Sequence, residues 1–175
     1  MGFFSSLFSP KKAKPAKQLK APNVKVVTHQ VAGSNYRQEA IMAMGTKNPD
    51  YNLTKRELFK RWPNGVTVYE YTFNPKKAEL VPEPENPEDP KAIKVLVDGV
   101  HVGYIKSGSC AHIHRLIREN RIWKIEPKIT GGKYKDLYSE DIDARTSADF
   151  ELEKGESTIG VRLEISELPT TEKGK

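Results

Sequence analysis

The chain has 175 residues, 37% of them apolar, which suits one small domain with tails. Its mean hydropathy is -0.65, and no apolar run reaches the ~18 residues that a membrane-spanning helix needs. The single cysteine, Cys110, excludes an internal disulfide and a Cys-rich zinc site, and it fits an intracellular, cytoplasmic setting.

The net charge of +6 is unevenly spread: +5 over residues 1–20, +7 over 21–135 and -6 over 136–175. A basic body suits a polyanionic partner, because neutralised phosphates release counterions. A solvated mixed-charge surface is the plainer reading of the charge alone.

Residues 1–22 read as a flexible basic arm. MGFFSSLF is followed by a stretch rich in proline and lysine that has too little apolar surface to offset its ordering entropy. MGFFSS fits the loose myristoylation pattern through Gly2 and Ser6, and an apolar plug followed by lysines could touch an anionic membrane. The flexible tail is the reading adopted, with the tails also open to protein partners.

The folded part is expected over 23–167. Val24 to Val31 alternates and is β-branched, which marks a strand. Tyr36 to Met44 has good helix formers and stops at Gly45. Thr54 to Arg61 predicts a short helix, with Thr54 and Glu57 forming a capping box. Val66 to Phe73 alternates as one strand, and Ala78 to Val81 as a short one. Four prolines between Pro82 and Pro90 make that stretch a loop. Ala92 to Val97 and Val100 to Ile105 flank Asp98-Gly99, a strong hairpin signal. Ser107 to Asn120 predicts a helix with Ile113, Leu116 and Ile117 on its apolar face. Ile122 to Ile129 and Lys133 to Tyr138 predict a second hairpin around Gly131-Gly132. The acidic stretch over about 136–157 reads as a mobile loop, Thr158 to Ile165 as the last strand, and 168–175 as a disordered tail.

Many short strands with two to three short helices give an α+β, mainly β class. Closing a curled antiparallel sheet into a small OB-like barrel would remove exposed edges.

No P-loop, GxGxxG, GxSxG or HExxH motif occurs, so no enzyme, cofactor or metal site is expected. His112 and His114 are two apart on a helix and point to different sides. Cys110 reads as a packing residue, and Tyr69, Tyr71 and Phe73 as core.

The most informative stretch is Leu80 to Ile105, where N-P-x-D-x-x-A-I-x-V from Asn86 is followed by G-x-x-x-G-Y-I from Gly99. It resembles the HIRAN domain, and Val31-Ala32-Gly33-Ser34-Asn35-Tyr36 resembles that family's opening strand end. The resemblance implies an OB-like barrel with added helices. It also implies a non-enzymatic module that binds single-stranded DNA, above all its 3′ end, in repair or replication.

Carried over by position, Tyr36 matches a base-contacting tyrosine, Asn86 a loop asparagine and Asp89 the aspartate that reads the 3′-hydroxyl. Lys106 falls among the DNA-facing basic residues and Tyr134 where an aromatic ring stacks. Three positions depart from the eukaryotic pattern: Asn35 stands for arginine, Glu88 for tyrosine and Tyr104 for histidine.

By their chemistry alone, Tyr36, Tyr104 and Tyr134 could offer rings to bases, with Arg37, Lys106, Lys133 and Lys135 meeting phosphates. A local role is also open to Asn86 and Asp89, which could simply cap the proline-rich turn through its backbone, and for Asn86 it stands level with ligand contact. The expectation is one shallow pocket gathering Tyr36, Asn86, Asp89, Tyr104 and Tyr134, with Lys106 and Lys133 at its rim. The alternative is a protein-interaction module that uses the barrel groove. A hydrolase or metal-binding role ranks last.

Overall fold

The computed structural model describes residues 22–170, so the arm over 1–21 and the last residues of the tail, 171–175, lie outside it. β1 (Lys25–Ala32) is the pivot of the architecture. Its first part, Lys25 to Gln30, pairs antiparallel with β9 (Glu151–Glu167), and its last two residues pair instead with β7 (Val100–Ile105). Gly103 on β7 makes that switch possible. Its φ is +143°, and a Cβ there would lie 2.3 Å from the Ala32 carbonyl oxygen.

Where β1 leaves β9, the edge of β9 is covered by a side chain. Gln38 accepts from the Ile159 N–H (2.7 Å) and donates to the Ile159 carbonyl (2.9 Å), so its amide stands in for a strand residue. Gln38 opens α1 (Gln38–Met42), which follows a 3-10 turn over Ser34–Arg37.

β6 (Ile93–Val97) and β7 are joined by Asp98 and Gly99, with φ of +47° and +82°, the two positive values a type I′ hairpin requires. The Asp98 carboxylate also accepts from the Lys76 and Lys77 N–H groups, which fixes the entry to β5 (Ala78–Pro82). α3 (Ser107–Arg118) buries Cys110, Ile113 and Leu116, spaced three apart along one face. α2 (Lys55–Arg61) is capped as the sequence predicts: the Thr54 N–H donates to Glu57 Oε2 (2.8 Å), and Thr54 Oγ accepts from the Glu57 N–H.

Four expectations are corrected. Val66 to Phe73 is not one strand. It splits at Glu70 into β3 (Val66–Tyr69) and β4 (Tyr71–Thr72). The Glu70 N–H bonds Lys133 on one side while its carbonyl accepts from Asn48 on the other, and β4 then pairs with a two-residue β2 (Thr46–Lys47).

The second hairpin does not form either. β8 (Ile122–Tyr138) is continuous, and Gly131-Gly132 makes an irregularity in its ladder with β9. A Gly-Gly pair supplies positive φ, here +125° and +90°, equally well to a bulge and to a turn. A long alternating partner in β9 decides for the bulge. The acidic stretch is consequently strand at both ends. Only residues 139–150 form the loop, and there the Asp149 carboxylate accepts from the Arg145 and Thr146 N–H groups. At the C-terminal end, Leu168 belongs to the fold rather than to a tail, since it exchanges two hydrogen bonds with Arg121.

The class is mainly β with three short helices, as the patterning implies. The seven-stranded antiparallel sheet runs β3-β8-β9-β1-β7-β6-β5. It curls until β5, at one end, lies against β8, but no hydrogen-bonded pairing closes it into a barrel. The principal core packs α3 against β1, β6, β7 and the near halves of β8 and β9. A second, smaller core forms around Leu58, Val68, Leu137 and Phe150.

Candidate nucleic-acid interface

The proline-rich loop between β5 and β6 is shaped by its own polar side chains. Asn86 Oδ1 accepts from the N–H groups of Glu88 (3.0 Å) and Asp89 (3.2 Å), and Asn86 Nδ2 donates to Glu83. The bonds of that amide all stay within the loop, so Asn86 positions its neighbours. Asp89 Oδ1 accepts from the Lys91 N–H (2.8 Å), while its second oxygen accepts no hydrogen bond among the described residues. Asp89 therefore has the local role that the sequence left open, and that role uses only one of its two oxygens.

Asp89 is one of the residues lining a shallow cavity of about 270 Å³, with Asn86, Glu88, Tyr104 and Ser107 among the others. Tyr104 reaches it because β7 is irregular at Gly103: Val102 and Ile105 are buried on either side, while Tyr104 is only partly so. Tyr104 pairs across the ladder with Lys94 on one side and Ala32 on the other. The His101 ring meets it edge-on, at 4.9 Å between centroids. His101 Nε2 donates to the Gly103 carbonyl (3.1 Å). Burial pushes the His101 pKa down, and the nearby Arg37 charge adds to the effect, so the ring is neutral near pH 7.

Lys94 forms an ion pair with Glu83. That contact raises the lysine's pKa and lowers the glutamate's, keeping both charged. Arg37, Lys94, His101 and Tyr104 thus make a partly exposed polar face beside the cavity. The sequence reading does not place Lys94, His101 and Glu83 here, although the alternation of β6 and β7 marks Lys94 and His101 as outward positions.

The remaining candidates fall in different places. Tyr36 stands on the 3-10 turn and is 87% exposed, with Asn35 exposed beside it, and neither lines the cavity. Lys106 is exposed at the N-cap of α3, between Ile105 and Ser107, which both line the cavity.

Tyr134 and Lys133 do not join this group, which corrects the expectation of a single pocket. Tyr134 packs edge-on against Tyr69 (6.0 Å) and over Gly155, where a Cβ would meet its ring at 2.4 Å. Lys133 lines a separate cavity with Met42, Glu70 and Glu156. The physical reason is the continuous β8, which carries both residues along the long ladder with β9.

A larger cleft of about 330 Å³, walled by Trp62, Tyr69, Tyr71 and Phe73, opens where the chain breaks at Glu70. Its Asn48 amide and Asp50 carboxylate are already bonded, to the Tyr69 carbonyl and to Arg61. Cys110 is buried against the carbonyls of Ile105 and Lys106, and burial, helped by the Asp89 charge, pushes its thiol pKa up. That is the opposite of an activated nucleophile.

The family model of the HIRAN domain matches residues 61–153, slightly more than half of the chain. The chain belongs to the HIRAN domain family. No curated protein and no solved structure matches it. The HIRAN match spans the proline-rich loop, the β6–β7 hairpin and α3, and so contains Asn86, Asp89, Tyr104, Lys106, Lys133 and Tyr134. Asn35, Tyr36 and Arg37 precede it. HIRAN membership places the protein in a family of nucleic-acid-binding modules. No helix among the described residues is long and apolar enough to cross a membrane.

Proposed function

We propose that this protein is a non-enzymatic module that binds single-stranded DNA through the face around Tyr104 and Asp89, with the terminal nucleotide in the Asp89 cavity. The observation that carries this reading is Asp89, with one carboxylate oxygen outside the loop's hydrogen bonds, among the residues lining a cavity in a HIRAN domain. A carboxylate repels phosphates, so it serves a nucleic-acid site only as an acceptor for a hydroxyl, such as a free 3′ end. Lys94 beside Tyr104 is paired with Glu83, so Arg37 and Lys106 are the cations offered to the backbone, and the exposed Tyr36 ring is available to a base. Glu88 at the cavity wall adds an anion where a ring would help, so binding should be weak and strongly salt-dependent.

The test compares single strands with a free and with a phosphorylated 3′ end. Asp89→Asn keeps an oxygen for the Lys91 N–H but loses the charged acceptor. It should abolish the preference for the free end, about tenfold for one charge-assisted bond, while the melting temperature stays unchanged. Equal affinity of the wild-type protein for both ends defeats the end-reading role.

A further inference from the structure

The cleft at the Glu70 break, about 330 Å³, has four rings in its wall: Trp62, Tyr69, Tyr71 and Phe73. The alternation of the sequence marks Tyr69, Tyr71 and Phe73 as core. All three are only half-buried, as is Trp62, whereas Val68 among them is buried. The cause is the path of the chain. β3 accompanies β8 from Leu137 to Tyr134, and β4 then turns away to pair with β2. Ile129, Thr130 and Gly131 of β8 line the cleft that this divergence opens. Its volume falls in the range of small-molecule sites, ~300–1,000 Å³.

The segment that frames the cleft, residues 46–62, is basic. Lys47, Lys55, Arg56, Lys60 and Arg61 stand against Asp50 and Glu57, five cations against two anions, for a net +3. Both acids are committed, Asp50 to Arg61 and Glu57 to the cap of α2. Of the acids close by, Asp136 accepts from Thr67 Oγ (2.8 Å), and Glu70 and Glu156 line the adjoining cavity with Lys133. Lys47 is exposed and lies opposite Tyr71 across the β2–β4 ladder, so ammonium and ring share a face. Arg61 sits over the Trp62 ring, 4.7 Å from its centroid. Arg56 and Lys60, four apart on α2, are both exposed.

We propose that this cleft is a second nucleotide site, which takes one unstacked base of a single-stranded nucleic acid against its rings while Lys47 and the exposed cations of α2 meet the flanking phosphates. Two requirements select that occupant together. Rings in a cleft favour a flat aromatic group, and every base offers a π-face. Uncompensated cations at the rim favour an anion. A proline-rich peptide would use the rings and leave the cations without a counter-charge. An acidic peptide would use the cations and leave the rings without a partner. A duplex keeps its bases paired and stacked, so it cannot enter. The inference does not rest on Asp89, because the cleft shares no lining residue with that cavity.

The experiment uses the full chain with Trp123→Phe, which leaves Trp62 as its sole tryptophan of the two. The probe is a short oligothymidylate phosphorylated at its 3′ end, so binding is measured without the hydroxyl that Asp89 would read. Trp62 emission should be quenched to saturation. Tyr71→Leu keeps apolar bulk but loses the ring, and it should weaken binding at least about fivefold. Tyr71→Phe should restore it, with equal melting temperatures. Lys47→Gln changes an exposed side chain and should flatten the log–log salt slope by ~0.7. No quenching of Trp62, or binding indifferent to Tyr71→Leu and to Lys47→Gln, overturns the cleft, whatever end preference the Asp89 face has. Quenching by thymidine monophosphate at the same concentration assigns the cleft to a free nucleotide and overturns the strand. Quenching by an oligoproline and not by the strand assigns it to a peptide and overturns the proposal.

Discussion

Asp89 and His29 are instructive as a pair of residues. Asp89 can be singled out in the sequence because the N-P-x-D-x-x-A-I-x-V stretch from Asn86 resembles the HIRAN motif. His29 cannot: it occupies a core-facing position of β1 opposite Leu163 and looks like any strand residue. In the structure it is 9% exposed, and its Nε2 has no hydrogen-bond partner among the described residues. Burial lowers its pKa below the ordinary 6.5, the charge on Glu167 partly opposes that, and His112 reinforces it. A histidine whose folded pKa is depressed binds fewer protons folded than unfolded. Its full contribution is therefore present above pH 6.5, and stability is lost as the pH falls from there through the folded value. His29→Leu removes both the orphaned nitrogen and the titration. It should leave stability at pH 7 equal or up to ~1–3 kcal/mol higher, and flatten the loss between neutral and mildly acid pH. Urea melts at two pH values check this, and an unchanged acid slope would assign the titration to other groups.

Elements are legible where the local signal has one physical meaning. The Thr54 capping box, the Asp98-Gly99 hairpin and the α3 face each satisfy a backbone or packing requirement that no distant partner can change. The misreadings come where the signal has two. Gly131-Gly132 fits a turn or a bulge, and only the presence of β9 across the ladder selects the bulge. The break at Glu70 depends on Asn48 and Lys133, both remote in sequence. Through β8 the first of these misreadings displaces Tyr134 and Lys133 from the expected pocket. A pair of glycine substitutions tests the geometry. Gly108 in α3 has open space around a new Cβ, so Gly108→Ala should stabilise by about 0.4–1 kcal/mol. Gly131 has φ of +125°, and its Cβ would lie 2.4 Å from the Thr158 carbonyl oxygen. Gly131→Ala should cost at least ~1–3 kcal/mol from the backbone alone. Similar melting curves for the two variants would mean that the bulge is not where the chain is strained.

At the scale of the whole molecule, the two cores divide the labour. The principal core holds β1, β6, β7 and α3, and so supports the Asp89 cavity. The smaller core ties α2 and β3 to the far ends of β8 and β9, with Phe150 packed on Phe59 at 5.1 Å between ring centroids. The link between them is the long β8–β9 ladder, whose hydrogen bonds continue from one core to the other. A ladder transmits backbone order, but the side-chain packing that resists opening is local to each core. Phe150→Ala should therefore cost ~3–5 kcal/mol in the smaller core and open that end by partial unfolding. Amide hydrogen exchange should accelerate in β3 and in β8 and β9 near Leu137 and Leu152. Exchange in β6, β7 and α3 should change far less, and binding at the Asp89 face should persist. Uniform acceleration across all strands would show that the ladder couples the two cores into one cooperative unit. In that case the α2–β3 segment is a structural support of the binding face rather than an addition to it.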